Sequence, residues 1–124
     1  MPRRPPDFVA TVDFLSPEIG GRKTQPRQGY RPDIRYDGDT SDEAWMVWPR
    51  FLDVNGNELA NGEEVPKHVR ANFYIVNEQL RKDVHLNRLQ VNVRFGLVEG
   101  QRYVASCVVT ELLSLHANAA GEQK

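Results

Sequence analysis

This chain is poor in the residues that would announce a chemistry. It has a single cysteine, which excludes an intramolecular disulfide framework and any cysteine-cluster zinc site. No apolar run approaches the ~18 residues that cross a bilayer as a helix, so no membrane segment is expected. Met1-Pro2-Arg3-Arg4-Pro5-Pro6 leads into no apolar signal core, and a cytoplasmic location is the expectation. Phosphate-cradling motifs are missing as well: neither a GxxxxGK-Ser/Thr loop nor GxGxxG occurs, so no nucleotide site is expected. Gly20-Gly21-Arg22-Lys23-Thr24 is the nearest approach and has the wrong order for such a loop. His68, His85 and His116 fall on three separate segments without ligand spacing, which argues against a metal. Asp53-Val54-Asn55-Gly56-Asn57 is superficially similar to a calcium loop, but its glycine comes two positions early. An Asx- and Gly-rich hairpin loop explains that stretch better. Cys107 sits in an apolar run with no charge nearby to activate it, and reads as a buried structural thiol. With no nucleophile–base pair in sight, the chain reads as a non-enzyme with no cofactor.

What is present fits one ordinary domain. At 124 residues the chain can bury a core without staples. Its net charge of −1 conceals an asymmetry. Residues 1–35 carry +3, residues 36–64 carry −7 and residues 65–94 carry +4. A nearly neutral protein can therefore still present a basic and an acidic face. Arg22, Lys23, Arg27, Arg31 and Arg35, interleaved with Tyr30 and Tyr36, have the composition of a nucleic-acid surface. The same arginines could equally pair with the neighbouring acids.

Alternation of period two dominates the rest. Gln90–Leu97 predicts a strand with Val91, Val93, Phe95 and Leu97 inward, and Val69–Ile75 one with Ala71, Phe73 and Ile75 inward. Tyr103–Leu113, Phe8–Leu15, Ala44–Phe51 and a short stretch at Asp33–Tyr36 after Pro32 complete six. Glu99-Gly100-Gln101 makes the last two strands a hairpin, and only Asn77–Leu89 has helical spacing. Six short strands with many turns and no internal repeat predict an all-β antiparallel barrel or sandwich. Met1–Asp7 and His116–Lys124 lack pattern and are expected to be mobile tails around one domain at 8–115.

Two sets of residues go further. Leu15-Ser16-Pro17-Glu18-Ile19-Gly20-Gly21-Arg22-Lys23-Thr24, followed by Gly29-Tyr30-Arg31-Pro32, resembles the opening of the C-terminal barrel (domain III) of elongation factor Tu. That domain reads L-S-x-E-x-G-G-R-x-T, a spacer, then Y-R-P. Phe95–Val104 is similar to its F-x-x-x-E-G-G-R-T-V hairpin, and Val65-Pro66 to its V-x-P-G-D turn. The matches run in order from Phe8 to Leu113. The resemblance implies a six-stranded antiparallel β-barrel without the factor's GTPase domain, hence no nucleotide hydrolysis. It also implies candidate contacts to the T-stem of tRNA at Arg22, Lys23, Glu99 and Gly100. The chain departs from the family at Asp33, where a tRNA-contacting glutamine would stand, at Gln101, and at Pro26-Arg27, where the family has Phe-Phe.

The expectation is therefore a binding module. A protein partner ranks first, with Trp45 and Trp48 marking its face, and translation-related binding of a tRNA-like RNA ranks second.

Overall fold

The computed structural model describes residues 5–39 and 43–121. Residues 1–4 and 122–124 of the expected tails, and 40–42 of the acidic stretch, lie outside the described residues. Six strands form: β1 (Phe8–Phe14), β2 (Asp33–Tyr36), β3 (Trp45–Leu52), β4 (His68–Ile75), β5 (Arg94–Glu99) and β6 (Arg102–Leu112). They close into an antiparallel barrel in the order β1-β4-β3-β2-β5-β6. Closure leaves no strand at a free edge.

The alternation in the sequence is what fills the barrel. Ala71, Phe73 and Ile75 of β4 are buried with Phe8, Ala10 and Val12 of β1, and with Phe95 and Leu97 of β5. At the centre Phe8 stacks on Phe73, with ring centroids 4.9 Å apart. Phe95 meets both rings edge-on, at 5.9 Å and 5.5 Å. Such pairs add to the area term because ring edges and faces carry opposite partial charge. Cys107 is fully buried, and burial pushes its thiol well up, so it is inert packing.

The barrel wall is uneven. β2 meets β5 at four positions but β3 at only two, Asp33↔Met46 and Ile34↔Trp45. Beyond them the Gln28 amide takes over. It accepts from Phe51 N at 3.0 Å and donates to the carbonyls of Phe51 and Leu59. Pro49 fits this seam because its backbone nitrogen falls on the side where β3 has no strand to donate to.

Helical pieces close the end of the barrel. A short α1 (Glu78–Leu80) runs through a π-turn (Arg81–His85) into α2 (Leu86–Arg88), with Asn77 accepting from Leu80 N as the cap. α3 (Leu115–Gly121) follows β6.

Three expectations need correction. The alternation before β5 overruns a turn: Asn92 takes φ +76°, Val91 is 52% exposed and the strand begins only at Arg94. Residues to 121 after His116 are helical rather than a patternless tail, with Leu115, Asn118 and Ala119 buried. Asp7 also belongs to the domain. Its carboxylate is fully buried and accepts from Arg81 Nε at 2.9 Å, Asn118 Nδ2 at 2.9 Å and Ile75 N at 2.8 Å. One buried anion thus ties the start of the chain to the helical segment and to α3.

Candidate interaction surface

The turn after β1 and the β5–β6 hairpin meet at one corner of the barrel. Gly20 adopts φ +99° to end a single 3-10 turn at Pro17–Ile19. At Gly21 a β-carbon would lie 1.9 Å from the Leu15 carbonyl oxygen, so only glycine fits. This tight return aims Arg22 at Glu99, with which it forms an ion pair. Glu99 also accepts from the Tyr30 hydroxyl and, at 3.2 Å, from Arg102. The Arg22 guanidinium lies 4.9 Å over the Tyr30 ring. Burial raises the Glu99 carboxyl, but hydrogen bonds from Tyr30 and Arg22 outweigh it and hold its pKa below the usual range. Burial, then the Glu99 contact, pushes Tyr30 far up. The corner therefore gathers Arg22, Lys23, Glu99 and Gly100 as the sequence motifs imply. Its one buried-side cation is already neutralised, while Lys23 and Gly100 face solvent.

The basic residues further along do not converge. Arg27 donates to the Gly62 carbonyl, and Arg35 is buried against the Glu43 carbonyl and the Tyr103 ring. The acids disperse in the same way. Asp39 pairs with Arg88, Glu58 with Arg50, and Asp53 caps its own loop through the amides of Asn55 and Asn57. Part of the charge asymmetry visible in the sequence is thus taken up by ion pairs and loop caps.

The two tryptophans separate. Trp45 points to the barrel end, where its ring meets His85 edge-on at 5.7 Å. His85 in turn shares a 2.6 Å hydrogen bond with Tyr36. Burial, then the charges of Arg88 and Arg81, lowers the His85 pKa to about 4, so the imidazole is neutral. Trp45 Nε1 and His85 Nε2 are both buried without a hydrogen-bond partner among the described residues. Trp45 is therefore a joint between barrel and helix, not half of a surface pair.

Trp48, three residues on, points outward. It stands directly across from Tyr74 on β4, with ring centroids 5.2 Å apart. Arg31 lies 5.0 Å and Arg50 5.4 Å from the indole centroid. A groove of about 250 Å³ opens beside them, lined by Arg31, Trp48, Tyr74, Val76 and Glu78. Sequence reasoning found Trp48 but missed Tyr74 and the role of Arg31. The usable signal for Tyr74 was its place between inward Phe73 and Ile75, which forces it out.

A second, wider groove of about 620 Å³ lies over Leu52, Leu59, Pro66 and Val69, with the exposed Asp13–His68 pair at 2.5 Å on its rim. Among the described residues, no three His, Cys, Asp or Glu side chains gather as metal ligands, and no helix is long and apolar enough to cross a membrane. No protein-family model matches the chain, and no curated protein matches it.

Proposed function

We propose that this chain is a non-catalytic binding barrel of the elongation-factor type that recognises a protein partner through the outer face of β3 and β4. The observation that carries the reading is the Trp48–Tyr74–Arg31 group. Tryptophan, tyrosine and arginine are the residues that dominate protein hot spots, and here they share one surface groove. Trp48 and Tyr74 sit on paired strands of a closed wall and Arg31 two residues before β2, so the aromatic part of the surface is rigid before a partner arrives. The test is a pull-down from native lysate with wild type and Trp48→Ala. Loss of specific partners in the variant is expected, and identical partner sets would reject the surface.

A second reading, tRNA-like RNA bound at the Arg22 corner, is favoured by one feature. Lys23 is exposed beside the Glu99-Gly100 turn and has no carboxylate partner among the described residues. Against it, Glu99 already neutralises Arg22, and Asp33 replaces a neutral residue of the related barrel. A fluorescence titration with tRNA at two salt concentrations separates the readings. True phosphate contacts weaken as salt rises and are lost in the Arg22→Ala, Lys23→Ala double variant.

A further inference from the structure

The groove beside Trp48 is too small for a typical small-molecule ligand. Its volume of about 250 Å³ lies below the ~300–1,000 Å³ of such pockets and suits one large side chain. Its walls are the Trp48 and Tyr74 rings, and Val76, 41% exposed, lies along it. Arg31 and Arg81 line this apolar space, Arg50 lies 5.4 Å from the Trp48 ring centroid, and two of the three are ion-paired. Arg81 is held by Asp7, and Arg50 by Glu58 and Asn61. Arg31 is the exception. It is exposed, its guanidinium carbon lies over the Trp48 ring at 5.0 Å, and it has no ion pair among the described residues. A cation–π contact uses the charge of a guanidinium and consumes none of its N–H donors, which match a carboxylate two at a time.

We propose that this groove binds an extended peptide of a partner protein by one large apolar or aromatic side chain with a carboxylate beside it. The aromatic pair takes the apolar group, and Arg31 takes the carboxylate. The inference rests on the reading of the β3–β4 face as the partner site and supplies the chemistry of that partner. Charge complementarity singles out a single carboxylate rather than a polyanion. Asp7 and Glu58 are spent on Arg81 and Arg50, and Glu78 adds a carboxylate to the groove lining. Among the described residues the groove therefore offers one unpaired guanidinium rather than a basic field, and a nucleic acid would release few counterions there. Strand addition is excluded as the mode, because β3 and β4 are paired to each other through Trp48 and Tyr74. Recognition must run through side chains.

The experiment uses the full chain against an array of short synthetic peptides with a central Phe, Leu or Ala flanked by Glu, Gln or Lys, and oligouridylate as a separate arm. Wild type should retain the Phe and Leu peptides flanked by Glu at least about tenfold better than those flanked by Gln or Lys. Arg31→Glu should reverse the preference toward Lys, Trp48→Ala should remove binding, and Lys67→Ala, at an exposed site away from the groove, should change nothing. Circular dichroism confirms that each variant is folded. If Trp48→Ala removes binding but Arg31→Glu leaves the flank preference unchanged, the carboxylate assignment falls and the partner site stands. If no peptide is retained, the inference falls. If Trp48→Ala leaves binding intact, or oligouridylate outcompetes every peptide at about 150 mM salt, the inference and the β3–β4 reading fall together.

Discussion

Replacing Asp7 by asparagine should be among the most damaging single-atom changes available to this protein. The carboxylate is fully buried and accepts four hydrogen bonds: Arg81 Nε at 2.9 Å, Arg81 Nη2 at 3.4 Å, Ile75 N at 2.8 Å and Asn118 Nδ2 at 2.9 Å. All four partners are donors. An asparagine amide turns one oxygen into a donor, so at least one N–H would face another N–H. It also removes the counter-charge of Arg81, whose side chain is only 3% exposed. Breaking a buried pair from one side costs about 3–5 kcal/mol, because the remaining charge keeps its desolvation penalty. For a chain of this size that lowers Tm by roughly 10–20 °C, out of a total stability on the order of 5–15 kcal/mol. Urea unfolding of Asp7→Asn measures the loss directly. Asp13→Asn is the control, since its pair with His68 has side chains 57% and 75% exposed and should cost below about 1 kcal/mol. The double variant Asp7→Asn, Arg81→Met should recover part of the loss by removing the stranded cation. Equal, small effects of Asp7→Asn and Asp13→Asn would refute the argument that one buried anion fastens the three segments.

Two further perturbations probe other features. Gly21→Ala must push a methyl into the Leu15 carbonyl, so we expect a loss of about 2–4 kcal/mol, whereas Gln101→Ala on the neighbouring hairpin should be nearly silent; a silent Gly21→Ala in the same urea titration would contradict the close approach. His85 supplies a pH dependence: burial lowers its pKa from 6.5 to about 4, so its contribution is fully present above about pH 6.5 and is lost as pH falls toward 4. That loss amounts to about 3 kcal/mol, and an imidazole that NMR finds protonated in the folded protein at pH 6 would overturn it.

Much of the fold was legible because the barrel interior imposes a strict period. β2 was read at its observed bounds and β4 to within a residue, since their inward and outward positions differ sharply in polarity. Val91 misled because a branched residue in an exposed turn has the same local pattern as one in a strand. Asp7 and α3 were missed for a different reason. A lone aspartate beside two prolines and a short alanine-rich end look like solvated tails until partners 68 to 111 residues away are brought to them. The interaction surface divided along the same line. The Arg22–Glu99 corner was carried by local motifs, whereas Trp48 meets Tyr74 only through cross-strand register. The sequence of β3, Trp-Met-Val-Trp-Pro-Arg-Phe-Leu, has no clean alternation to say which tryptophan faces out.

The Gln28 amide at the β2–β3 seam bears on association between copies. Exposed backbone donors and acceptors along a strand are templates for another chain's strand. The stretch of this wall where β3 outruns β2 is guarded twice, by a proline with no amide to offer and by a side chain that occupies both polar groups of Phe51. Gln28 thus does for self-recognition what a strand would do for stability: it withholds the polar groups of Phe51 from a growing β-aggregate.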